Sequence, residues 1–136
     1  MNDWLLFTII ALLLWGLWGL FPKIASNYIG PKSVLIYEAI GAAFLTIIVL
    51  FSVGFKPEIH AKGITFGILG GLAGAIGGLF FLYAISRGKA SIVVPITALY
   101  PLVTILLAFI ILKEPITLKQ GIGIALALAA MVLLSL

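Results

Sequence analysis

The chain has 136 residues, 64% of them hydrophobic and 9% charged, with a formal net charge of +4. A soluble domain of this size needs far more charge to keep its surface wet, and the eight basic residues are scattered, so neither a soluble domain nor a nucleic-acid-binding patch fits. Cysteine is absent and His60 is the only histidine, so no metal site and no cofactor is expected.

About 20 apolar residues cross a bilayer core of about 30 Å as a helix, and polar breaks divide this chain into five such runs. Open sheet edges have no partner in lipid, so the runs are predicted to be helices of one transmembrane domain covering residues 1–136. Span 1 is predicted from Trp4 to Phe21, or on to Tyr28 beyond a kink at Pro22. It has no basic segment before it and no small-residue cleavage site after it, so it reads as a retained span. Trp4 suits the interfacial belt. Trp15 lies about 16 Å further along the axis, where an indole needs another role. Trp15 and Trp18, spaced i, i+3 and interleaved with Gly16 and Gly19, either pack on glycine or line a substrate pocket. Lys23 is expected to reach the surface along its own stem rather than bind an anion.

Span 2 runs from about Ser33 to Val53 and contains Glu38, the only acid inside any span. Intramembrane carboxylates are expensive and serve as proton relays, cation sites or partners for a base. Glu38 is therefore the proton-coupling candidate. The alternative is an acid in the first turns of a helix, favoured by the macrodipole and reaching headgroup water.

Span 3, about Gly63 to Ser86, reads "GILGGLAGAIGG" and sets Gly67, Gly70, Gly71, Gly74, Gly77 and Gly78 in overlapping small-xxx-small registers. Such a face permits close helix approach, within the chain or between subunits. Tyr83, near its end, is a candidate ligand contact or a belt residue.

Span 4, roughly Ala90 to Leu112, carries Pro95 and Pro101 in an otherwise greasy run. Each proline removes a backbone donor and is a candidate break or hinge, as is Pro22. Thr97, Pro101, Thr104 and Ala108 recur at helical spacing on one face. With Tyr100 they predict a wall of a central pathway. The alternative is a structural bend whose threonines bond their own helix. Span 5, roughly Ile116 to Leu136, follows Glu114 and Pro115, an ordinary helix start.

The positive-inside rule does not choose an orientation. One side receives Lys56, Lys62, Lys113 and Lys119, the other Lys32, Arg87 and Lys89, with Lys23 as a fourth unless it sits inside the first helix. Transporters are often built from inverted repeats about an axis in the membrane plane. Either a partner or another bias sets the topology, or the chain inserts in both directions; the odd span number favours the second, with two copies pairing as an antiparallel homodimer of ten helices. Enzyme chemistry is hard to assemble here, because a nucleophile finds no histidine or second carboxylate in the spans.

The stretch from Tyr83 onward resembles the repeat of the EamA-type drug/metabolite transporter superfamily. The matching features are Gly88-Lys89-Ala90-Ser91 entering span 4, Pro101 followed by Thr104, Leu112-x-Glu114, Thr117, Gln120 and Gly123. The opening "LLLWGLWGLFPKIA" is similar to that repeat's first Trp-Gly element. Members commonly carry two such repeats in inverted arrangement and move metabolites or amino acids, often outward. The resemblance implies a half-length, five-span bacterial or archaeal member in a cell membrane, acting as a homodimer. Many members place an arginine early in span 2, where this chain has Tyr37-Glu38; the departure points to a cationic or zwitterionic substrate, or to proton coupling.

The expected protein is a secondary transporter, an exporter or exchanger of a small metabolite or lipophilic compound, working by alternating access. Its substrate site is expected near midplane between two copies, using Trp15, Trp18, Tyr83, Thr97, Tyr100 and Thr104. The rival expectation is an accessory subunit of a larger transporter, without transport of its own.

Overall fold

Backbone amides in lipid find partners only within a helix or a closed barrel. The computed structural model describes residues 3–135, and all regular structure among them is helical. Helix α1 covers Asp3–Ala25, α2 Pro31–Ser52 and α3 Ala61–Arg87. The fourth apolar run divides into α4 (Ala90–Thr97), α5 (Tyr100–Leu107) and a π-helical turn over Ala108–Leu112, and α6 follows at Leu118–Ser135. Four stretches are long and apolar enough to span a membrane: Trp4–Ala25, Pro31–Ser52, Ala61–Arg87 and Ala90–Leu112. A fifth, Leu118–Leu133, is apolar but shorter. This is an all-α, polytopic membrane protein. Its chain separates into two compact units, Met1–Ser86 and Arg87–Leu136.

In the first unit, α1 does not stop at Phe21 but runs through Pro22 to Ala25. Pro22 has no N–H to offer the carbonyl of Trp18, four residues back. The helix closes just beyond it: the Ser26 amide donates to the Pro22 carbonyl and the Ser26 hydroxyl to the Lys23 carbonyl, both at 2.8 Å. Helix α2 opens with Gly30 extended and Pro31 in the first turn, where a missing N–H is harmless. It ends at Gly54 and Phe55, both with positive φ, and the Phe55 amide reaches back to the Leu50 carbonyl at 3.0 Å. The left-handed conformation is unfavourable for Phe55; its ring packs edge-on against Phe51 at 4.8 Å, an apolar contact common at such helix ends.

The C-terminus of α1, the N-terminus of α2 and the C-terminus of α3 supply the buried residues of this unit. Gly19 and Pro22 come from α1, Val34 from α2, and Phe81, Leu82 and Ile85 from α3. In lipid, side-chain burial gains little over contact with acyl chains, so close packing and hydrogen bonds hold such helices together. One bond of that kind joins α1 to α3. Lys23 Nζ donates to the Ile85 carbonyl at 3.0 Å, and Ile85 lies in the last turn of α3, where carbonyls lack amides of their own helix. The glycine face of α3 is different. A Cβ built on Gly67, Gly70, Gly71, Gly74, Gly77 or Gly78 meets no heavy atom within 4 Å. Within the first unit, then, these glycines bring no neighbouring helix close.

In the second unit, Pro101 separates α4 from α5. Its ring nitrogen cannot donate to the Thr97 carbonyl, and Ala98 and Leu99 form a tight turn whose amides bond to Val94 and Ile96 at 2.9 and 3.2 Å. Pro95 sits inside α4 without ending it. Helix α4 packs against α6. The start of α6 is fixed by a capping box: the Gln120 amide donates to the Thr117 hydroxyl oxygen at 3.3 Å, and Gln120 Oε1 accepts from the Thr117 amide at 2.9 Å.

Candidate functional site

Membrane helices bring few polar groups to depth, so each one has to be accounted for. The Thr97 hydroxyl donates to the carbonyls of Val93 and Val94 at 2.8 and 3.0 Å, and the Thr104 hydroxyl lies 3.5 Å from the Tyr100 carbonyl. Thr8, Thr46 and Thr65 likewise bond to carbonyls four residues back. Their donors are committed to their own helices, a frequent arrangement for threonine in a helix. Thr97 and Thr104 thus bond as the bend reading has it, and only their oxygen lone pairs remain for a solute.

Glu38 is bonded differently. Its side chain is half-buried on α2 and lies within hydrogen-bonding reach of the Trp18 side chain on α1. Its other face is unanswered: Oε1 is buried with no hydrogen-bond partner. Trp18 in turn stacks on Phe81 of α3, with ring centroids 5.1 Å apart and planes 21° from parallel. Phe81 is buried, while Trp18 keeps 44% of its surface exposed.

The three side chains share one level. Trp18 lies seven residues before the end of α1, Glu38 seven after the start of α2, and Phe81 six before the end of α3. At 1.5 Å per residue each is about 9–10 Å from the helix ends on the same side. That is about a third of the way along a helix, short of the midplane position expected from the sequence.

The other sequence candidates lie elsewhere. Trp15, one turn before Trp18, is 62% exposed and has no stacked ring among the described residues. Tyr83 is half-buried on α3, two residues and about 200° round the helix from Phe81; its carbonyl accepts from the Ser86 hydroxyl at 3.0 Å. Thr97, Tyr100 and Thr104 belong to the second unit, where Tyr100 is exposed at the start of α5. A hollow of about 480 Å³ in that unit is lined by Ile105, Phe109, Glu114 and Gln120, and by none of the predicted substrate contacts.

Two participants were not foreseen. Phe81 was hidden in "LFFLY", whose aromatic residues following the glycine-rich stretch of the same helix were the available signal. Lys23 was expected to extend towards water; the structure turns it inward to Ile85 because α3 ends at its level.

A carboxylate with an unanswered oxygen beside an aromatic pair, held by three membrane helices, has the makings of a solute or proton site in a transport protein. Residues 2–136 match the EamA-like transporter family. The chain belongs to that family. Four apolar helices of spanning length and a shorter fifth suit a half-length EamA member. An uncharacterised protein of Methanocaldococcus jannaschii is 32% identical over 136 residues, covering 100% of this chain and 98% of that protein. No solved structure matches this EamA chain. The family is one of membrane transporters, which implies a small-molecule substrate and a bilayer setting for the protein.

Proposed function

We propose that the protein is a secondary transporter in the cell membrane that exports or exchanges a small metabolite or lipophilic compound by alternating access. It works as an antiparallel homodimer, with Glu38 coupling solute movement to protons. The observation that carries this reading is the buried, unpartnered Oε1 of Glu38. A buried acceptor left without a donor costs about 1–3 kcal/mol, more when charged. Either a proton or a solute N–H or O–H relieves that cost, and one oxygen serving both in turn is the simplest exchanger.

The dimer draws support from the glycine face of α3, which no helix of its own unit covers and which permits close helix approach. With Lys23 inside α1, the basic residues of the connections divide four against three, a near-even count that supports insertion in both orientations.

The test is reconstitution of the purified chain in liposomes holding a trapped pH dye, challenged with a pool of small metabolites extracted from cells. Solute-evoked proton movement is expected, and its loss in Glu38→Gln. Coupled transport unchanged in that variant overturns the coupling role, and no solute movement at all returns the protein to the accessory-subunit reading.

A further inference from the structure

Transport as such leaves the chemistry of the solute open, and the cluster around Glu38 narrows it; this inference rests on the transporter reading above. Oε1 needs a hydrogen-bond donor. Lys23, five residues beyond Trp18 on α1, does not supply one, because its Nζ is directed at the Ile85 carbonyl at 3.0 Å and does not reach Oε1. Beside the carboxylate stands the Trp18–Phe81 stack, of which Trp18 is 44% exposed. Aromatic faces attract cations and cover apolar groups. A donor with positive charge and an apolar body would satisfy both halves of the cluster at once.

The geometry points to a protonated primary or secondary amine with an apolar or aromatic body as the solute held by Glu38, whose carboxylate turns Oε1 out of its burial to meet the N–H while the body lies on the exposed part of Trp18. Three neighbouring classes fit less well. A quaternary ammonium has the charge but no N–H for Oε1. A neutral hydrocarbon has only the body. A zwitterionic amino acid brings a second carboxylate to Glu38, with the Lys23 ammonium already engaged.

The test reads Trp18 fluorescence in lipid nanodiscs, in a chain carrying Trp4→Phe and Trp15→Phe so that Trp18 is the only indole. Phenethylammonium is expected to quench it saturably. Phenethyltrimethylammonium, phenylalanine and propylbenzene are each expected to bind at least tenfold more weakly. Glu38→Gln is expected to lose at least tenfold in phenethylammonium affinity, with partial retention in Glu38→Asp. Because the ligand series is compared on one and the same protein, the result does not depend on how well the Glu38 variants fold. The inference is overturned by an absent saturable response to phenethylammonium, or by equal affinity for the trimethyl, zwitterionic or neutral probe. The assay contains no flux, so amine binding without transport in liposomes would sink the proposed function alone, and transport without amine preference would sink this inference alone.

Discussion

Lys23 Nζ lies 3.0 Å from the carbonyl oxygen of Ile85, tying the last turn of α1 to the last turn of α3. A hydrogen bond to a charged group contributes about 1.5–3 kcal/mol, and the helix C-terminus favours a cation as well. Lys23→Met is expected to destabilise the protein by about 1–2 kcal/mol, seen as a lower thermal midpoint in detergent, with Lys23→Arg intermediate. A wild-type midpoint in Lys23→Met would mean that the bond contributes nothing net.

The stack of Trp18 on Phe81 joins the same two helices one or two turns deeper. Aromatic pairs of this geometry are worth about 0.5–1.5 kcal/mol beyond burial. In a double-mutant cycle with Trp18→Leu and Phe81→Leu, a coupling energy in that range is expected. Additive effects of the two substitutions would show that the rings are neighbours without being partners.

Pro101 withholds an N–H from Thr97 and divides the fourth apolar run. Pro101→Ala restores that donor, so α4 and α5 are expected to join into one helix, with slower amide exchange across Ala98–Leu102. Transport turnover is expected to fall several-fold if the turn has to flex in each cycle. Pro95→Ala lies inside a helix that is already continuous, and its effect on turnover is expected to be smaller. Equal effects would remove the special role of the Ala98–Leu99 turn.

A Cβ at Gly71 or Gly74 meets no heavy atom within 4 Å, and glycine to leucine improves helix propensity by somewhat under 1 kcal/mol. The fold of each variant is therefore expected to match or exceed wild type in stability. Self-association, read by single-molecule photobleaching in bilayers, is expected to weaken at least tenfold. Unchanged association would move the subunit contact away from this face.

The helical organisation was legible because lipid imposes it: run length, polar breaks and Pro31 mark out the spans, and Pro101 marks a break within the fourth. Pro22 was less legible, since a proline near a helix end can be passed for the loss of one bond, and α1 passes it. Glu38 announced itself as the only acid in a span. Its partners did not, because Trp18, Phe81 and Lys23 meet across helices far apart in sequence, and no spacing rule reports such contacts. The threonines illustrate the opposite difficulty. Their helical spacing suggested a polar wall, while the hydroxyls satisfied themselves locally, a choice that composition does not reveal.

The common level of Trp18, Glu38 and Phe81 has a consequence for an inverted pair. A 22-residue helix is about 33 Å long, so rings of side chains about 10 Å from opposite ends stand about 13 Å apart along the normal. Such a dimer would hold two stations, one per leaflet, with the solute handed from one carboxylate to the other during a crossing.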